Sequence, residues 1–337
     1  MKKYLKTVLM FILVLSMTFS LVGCGNEQEE EGQRYAWPLA TCSTTDTITH
    51  VFATNFAEQV DKLSDGKMKI QVYPQSALGG DRELMESVKD GDIPFVVMSP
   101  APQVSFMPQL CVFDSPCLFS NIEQARAAYN GDEFMDAVKG IYDNAGYTLL
   151  GLADQGFRVM SSNDSFEDMS FFKGQKIRTM ENTYHIQFWK AVGASPTPMS
   201  FSEVYIGLQQ GTIDAQENAY TLIQSAKLYE QQKYIVETNA VPDYITLVAS
   251  SDFMKERTEE EQAIINEAAA IAQQAACDAA DSAEQTCKEQ LIEDGMIIQQ
   301  IDEENWKEMQ KCSEPVYENI KKVTGDTLFN LYAGEAK

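Results

Sequence analysis

Positive charge is scarce in this sequence. Its 337 residues hold 26 Lys and Arg against 50 Asp and Glu, a formal net charge of −24. That balance excludes nucleic acid and anionic lipid surfaces as partners, since both are gripped through clustered cations. An anion can then be bound only where a cation has been placed for it. Six arginines exist (Arg34, Arg82, Arg126, Arg158, Arg178 and Arg257), so each can be weighed individually. Histidine is rarer still. His50 and His185 lie far apart, with no cysteine or paired carboxylates at ligand spacing, which excludes a zinc site.

Catalytic signatures are missing as well. There is no G-x-S-x-G, G-x-x-x-x-G-K-[ST], H-E-x-x-H or G-x-G-x-x-G. Cys42 or Cys117 with His185 is the one nucleophile pair to consider, and lone thiols and histidines are far more often core residues. Glu203 reads as a helix cap and Asp214 as a strand-end or turn residue. The chain reads as a non-enzyme with no cofactor. Seven cysteines are present without a C-x-x-C spacing; six lie beyond Cys24, and these read mostly as free, small apolar residues.

What is present begins at the N-terminus. Lys2, Lys3 and Lys6 precede an apolar run over residues 8–22, then Gly23-Cys24. The run is shorter than the roughly 20 apolar residues that span a bilayer. A basic start, an apolar stretch and a small residue before the cut make a secretory signal. L-V-G-C resembles a lipobox, so residues 1–23 are expected to be removed and Cys24 lipidated. The loss of three lysines brings the mature charge near −27. Residues 24–34 are polar and acidic, with nothing to bury, and read as a flexible tether.

The rest alternates short strands with helices, which predicts an α/β architecture with largely parallel sheets. Strands are expected over 67–73, 93–98, 147–153, 157–160, 176–178, 213–217 and 244–250. Helices are expected over 81–89, from Asn121, over 132–144 and 184–192, and around 222–229. Ser200 to Glu203 has capping-box spacing for a helix to Gln210, and Thr258 to Glu261 has the same for a long Ala-rich helix to about Glu293. At 1.5 Å per residue the latter reaches roughly 50 Å, enough to brace two lobes.

One stretch carries most of the information. Residues 193–218 form a proline-stiffened loop, a capped helix and a strand ending in Gln216-Glu217-Asn218. Amides at a strand terminus sit where open α/β sheets bind ligands, although they can equally cap the next helix.

These residues also carry a resemblance. K-G-Q-K-I-R at 173–178, G-A-S-P-T-P-M-S-F-S-E-V-Y-I-G-L-Q-Q-G-T-I-D-A-Q-E-N at 193–218 and L-Y-E-Q-Q-K at 228–233 resemble the substrate-binding subunits of tripartite ATP-independent periplasmic (TRAP) transporters, the DctP family. Y-P-Q-S-A-L-G-G-D-R-E at 73–83 and S-P-C-L-F at 115–119 extend the likeness upstream. The resemblance implies a periplasmic-binding-protein-like fold, two lobes closing on a cleft under a long brace. The expected lobes are 35–155 plus 244–283, and 156–243 plus 284–337. It implies that Arg178 clamps a substrate carboxylate, joined by Arg158, Asn218 and Phe201. Ser99, Cys42, Asp81, Gln155 and Met180 complete the expected lining. A planar guanidinium matches both carboxylate oxygens, whereas Arg158 has a structural role as its alternative. Arg82, Arg126 and Arg257 are expected to serve the surface or pair locally.

The sequence departs from the family pattern at Ala215, Cys117 and Gln155. Ser99 stands where sialic-acid binders have an acid, which disfavours that ligand. The expected function is an extracytoplasmic receptor, monomeric and lipid-anchored. It would pass a sugar acid or C4-dicarboxylate to the small and large membrane subunits of a permease. The competing reading is an exported hydrolase or a ligand-sensing lipoprotein on the same scaffold.

Overall fold

The computed structural model describes residues 35–334; Cys24, the tether and Arg34 lie outside them. Among the described residues, no helix is long and apolar enough to cross a membrane. Strands β1 (Trp37–Ala40), β2 (Ile70–Tyr73), β3 (Phe95–Met98) and β4 (Tyr147–Phe157) come first. Then follow β5 (Val159–Ser162), β6 (Ile177–Thr179), β7 (Thr197–Pro198), β8 (Ala215–Asn218), β9 (Tyr234–Glu237), β10 (Pro242–Ser250) and β11 (Ile297–Gln300). They build two sheets, ordered β2-β1-β3-β10-β4 and β11-β9-β5-β8-β6-β7.

In the first sheet both faces are buried, and the side-chain alternation of a strand sorts residues between two cores. Phe95 and Val97 of β3 face one core, Val96 and Met98 the other. Helix Ile48–Leu63 and the long helix Glu259–Glu293 cover one face, with Phe52, Phe56, Ala268 and Ala272 fully buried. Helices Asp81–Asp90, Ile122–Tyr129 and Asp132–Ala145 cover the opposite face. The second sheet divides its residues in the same way, Val159 and Ile235 against Met160 and Val236. The result is a two-lobed α/β molecule.

The chain crosses between the sheets at Phe157–Arg158–Val159 and again between β9 and β10. A backbone bond from Arg158 N to Val241 O (2.9 Å) ties the two crossings together. Gly156 precedes the first crossing with φ +85°, and a Cβ there would sit 2.2 Å from a Glu284 carboxylate oxygen. The positive φ is what favours glycine here, since the Glu284 carboxylate is the movable end of a partly exposed side chain. Helix Glu259–Glu293 packs on helix Ile48–Leu63 and β4 in the first lobe and on helix Tyr220–Ser225 in the second. Its Thr258–Glu261 capping box is formed in both directions.

Several expectations need correction. The sheets are mixed: β10 runs antiparallel to both β3 and β4, and β5 to both β8 and β9. A strand that returns from the other lobe enters from the far end, so its direction follows from the crossing and cannot be read from local pattern. The Ser200 capping box is absent. Ser200 makes no cap bond, its hydroxyl lies 3.2 Å from Ser202, and a 3-10 turn Phe201–Glu203 leads into helix Val204–Gln209. Arg178 holds the preceding carbonyl, Met199 O, and this shapes the turn. The helix around 222–229 stops at Ser225, because Lys227 takes φ +55°. Helices Ile48–Leu63 and Glu303–Ala333 had no sequence expectation. The latter breaks at Gly325 (φ 73°, ψ 162°), so that Met309, Val316 and Ile320 face the second lobe while Leu328 and Tyr332 enter the first.

Candidate ligand-binding site

All nine residues named from the sequence line one cavity of about 50 Å³. Cys42 follows the end of β1 and Ser99 the end of β3, where it also caps helix Pro100–Gln103 through Ala101 N. Asp81 opens helix Asp81–Asp90, and Gln155 comes from the end of β4. From the second lobe come Arg178 on β6, Met180 just beyond it, Phe201 on the 3-10 turn and Asn218 at the end of β8. Arg158 enters from the crossing. The ligand-side ends of strands from two sheets converge here, as open α/β sheets dictate. Thr44 Oγ1 and Ser225 Oγ meet at 2.5 Å across the cleft, so the lobes are closed on it.

The two arginines differ in what they have left to give. Arg158 is 2% exposed and heavily engaged. Its Nε donates to Glu217 Oε2 (2.5 Å), its Nη1 to Asp243 Oδ1 (2.9 Å), and its Nη2 to Glu217 Oε1 and Asn218 Oδ1 (3.0 Å each). Arg178 is 1% exposed, and its Nε and Nη2 both donate to Met199 O (3.0 and 2.9 Å). Its Nη1 is buried without a partner. Arg82, Arg126, Arg158 and Arg257 all have carboxylate partners, and Arg178 alone among the described arginines has none. Burial and the neighbouring Arg158 lower it to about 10. Phe201 covers it, the ring centroid 5.9 Å from the guanidinium carbon, within cation–π reach. An unpaired buried cation is costly. An incoming carboxylate removes that cost and takes a charge-assisted bond in a site with little water to compete.

Behind the cavity, a buried chain of charges links the lobes. His185 Nε2 lies 3.1 Å from Asp114 Oδ1, and its Nδ1 faces Glu217 Oε1 at 3.7 Å. Asn182 Nδ2 donates to both Asp114 Oδ2 (2.7 Å) and Ala101 O (2.8 Å). Burial works against a charged His185, but Asp114 and Glu217 outweigh it and raise the imidazole to about 9. Burial likewise opposes the Glu217 carboxylate, yet Arg158 and His185 bring it down to about 2. Burial prevails at Asp114 and Asp243, whose carboxyls are raised.

Sequence reasoning missed Asp243, Thr49, Ser43, Leu222 and Ile245 in the lining. Asp243 was findable in principle as an acid inside an apolar strand, a position that requires a buried partner. The Gln216-Glu217-Asn218 trio does not cap the next helix, which has no side-chain cap. Instead Asn218 Nδ2 donates to Gln216 Oε1 (2.5 Å) and its carbonyl receives Arg158. Neither Cys42 nor Cys117 hydrogen-bonds His185; the Cys42 thiol points to Gly79 O at 3.6 Å. All six cysteines among the described residues are free thiols. Arg126 does more than serve the surface, joining the buried Asp154 (2.9 Å) to Asp281 (2.6 Å) on the long helix.

Residues 39–323 match the family model of bacterial extracellular solute-binding proteins, family 7 (DctP). A curated relative, a solute-binding protein from Verminephrobacter eiseniae (strain EF01-2), is 39% identical over 187 residues; the match spans 55% of this chain and 56% of that protein. The sugar acid binding protein DctPAm from Advenella mimigardefordensis strain DPN7T, solved with galactonate, superposes with a TM-score of 0.86 at 27% identity over 91% of this chain and 99% of that one. A TRAP periplasmic solute binding protein from Polaromonas sp JS666, bound to D-erythronate, has a TM-score of 0.83 at 32% identity over 88% and 98%.

Proposed function

This chain belongs to the bacterial extracellular solute-binding proteins of family 7, and from that premise we propose that it captures a small organic acid for a TRAP permease. The acid is a sugar acid or a C4-dicarboxylate, delivered to the small and large membrane subunits. The observation that carries this is Arg178: fully buried, without a carboxylate partner, its Nη1 unsatisfied beside a cavity. The relatives crystallised with galactonate and D-erythronate support the same ligand class.

In this reading Arg178 clamps the carboxylate and Phe201 shields the pair from water. Arg158 holds Asn218 in place. Gln155, Ser99, Cys42, Asp81 and Met180 surround the remainder, with the lobes divided as expected above except that the segment after Gly325 packs into the first. Capture in this reading involves no bond making, in keeping with a family of solute binders. The protein works as a monomer outside the cytoplasm, tethered by lipid on Cys24.

Thermal-shift screening of the purified domain against organic acids tests the proposal, because a ligand that binds only the folded state raises the melting temperature. A carboxylate hit is expected, lost in Arg178→Ala with the fold intact. One charge-assisted bond is worth about 1.5–3 kcal/mol, or roughly 10- to 100-fold in affinity. Stabilisation by neutral sugars and not by acids would sink the carboxylate reading, and turnover of the ligand would sink capture without chemistry.

A further inference from the structure

The cavity beside Arg178 is too small for a long ligand. At about 10–15 Å³ per water-sized site, its 50 Å³ takes a carboxylate and the atoms next to it. Anything longer must leave through one of the two larger spaces that adjoin it. A groove of about 450 Å³ continues from Arg178 and Met180, and four carboxylates line it: Asp81, Glu83, Glu181 and Glu203. A chamber of about 340 Å³ continues past Cys42 and Phe201, and no acidic residue lines it. In a chain this acidic, the second space is the one open to an anion.

The chamber also has features of a prepared surface. Gln75 (φ 58°), Ser76 (φ 55°) and Lys227 (φ 55°) line it, three of the seven non-glycine residues with positive φ among the described residues. Such conformations are costly and concentrate at functional sites. Gln75 N and Ser76 N are tied to Ser43 O and Thr41 O (2.9 and 3.2 Å), which holds the strained pair in place. The Ser76 hydroxyl is buried there beside the Cys42 thiol, with no stronger hydrogen-bond partner. Lys227 is exposed and has no ion pair, whereas Glu230 is engaged by the Tyr205 hydroxyl at 2.5 Å. A free lysine at the mouth of an acid-free space attracts anions and can pair with a distal one.

We infer that this chamber is a second subsite for the far end of an elongated acid. The first carboxylate sits on Arg178, and the tail passes Phe201 to hydroxyls that include Ser76. A terminal anionic group, where present, reaches Lys227. The inference rests on the Arg178 reading and fixes the direction in which the ligand extends.

Adjacent, exposed residues provide opposed variants, since Ser202 lines the chamber and Glu203 the groove. Calorimetric titration of the wild type, Ser202→Phe, Glu203→Phe and Lys227→Gln would use glycerate (three carbons), gluconate (six) and glucarate (six, a carboxylate at each end). Ser202→Phe is expected to weaken gluconate and glucarate by about tenfold or more and glycerate by less than about twofold. Glu203→Phe is expected to leave all three unchanged, and Lys227→Gln to weaken glucarate more than gluconate. An unchanged melting temperature of the unliganded variants checks that folding is not the cause. Loss of the long acids in Glu203→Phe but not in Ser202→Phe would overturn the inference, as would equal loss of all three acids in Ser202→Phe. With succinate as a fourth probe, a wild type that binds glycerate or succinate but neither six-carbon acid rejects the chamber and keeps the Arg178 reading; one that binds none of the four acids rejects both.

Discussion

Arg158 and Arg178 are both buried guanidiniums, and their surroundings give them unequal consequences for stability. Arg158 neutralises Glu217 and Asp243 where water cannot. Arg158→Ala would leave the buried Asp243 without its cation and Glu217 with His185 alone, so a loss of about 3–5 kcal/mol is expected in urea unfolding. Arg178 is in no ion pair within the described residues and gives up only its bonds to Met199 O, so Arg178→Ala is expected to cost the unliganded domain much less than Arg158→Ala. A variant pair with equal stability losses would contradict this division. His185 adds a pH signature. Its pKa is raised from 6.5 to about 9, so its contribution is fully present below pH 6.5 and is lost as pH rises through about 9. Glu217, lowered to about 2, contributes above pH 4.5 and loses this as pH falls through about 2. The melting temperature of the wild type should therefore decline between pH 6.5 and 9, by the equivalent of roughly 2–3 kcal/mol. His185→Gln should flatten that limb; an identical slope in the variant would remove His185 as its source. Arg178 and Asn218 were legible because they end short, unusual motifs. His185 and Asp114 were not, since they lie 71 positions apart and neither has a local pattern that points to the other.

Among elements, legibility followed the range of the forces involved. The long helix Glu259–Glu293 was readable because its cap closes over three residues and its Ala-rich run has high intrinsic helix propensity. Thr258→Ala removes that cap and is expected to cost about 0.5–2 kcal/mol. The change should appear in thermal melts and leave ligand affinity unaltered; a loss of affinity would mean that the brace also sets the cleft. The Ser200–Glu203 box has equivalent spacing and failed. There a tertiary bond, Arg178 to Met199 O, shapes the turn in its place. Strand existence was largely visible and strand direction was not. β10 is fully buried and reads as a core strand in either orientation, and only the chain's return from the second lobe makes it antiparallel.

At the scale of the whole molecule, capture and location are separable tasks. The closed cleft depends on contacts such as Thr44 to Ser225 and Asn182 to Asp114, all within residues 35–334. The proposed tether through Cys24 lies outside them. Cys24→Ala is therefore expected to release a domain that binds its acid with unchanged affinity while uptake by cells falls. Loss of binding together with release would show that anchoring and capture are not independent. The acidic surface takes its meaning from this scale too. A net charge of −24 repels anions everywhere except where buried or unpaired cations face a cavity.

The sequence by itself determined the scarcity of cations, and through its resemblance to a known family it pointed to the two-lobed α/β class and to the nine residues that meet at the cavity. The first is composition, and the others rest on contiguous motifs shared with relatives, which are legible without knowledge of this fold. Only the tertiary structure decided which arginine is free. That depends on where Glu217 and Asp243 stand, and Asp243 is 85 positions from the arginine it neutralises. The tertiary structure likewise divided the space around Arg178 into an acid-lined groove and an acid-free chamber. Side chains from both lobes build each of these, and no stretch of sequence contains them together.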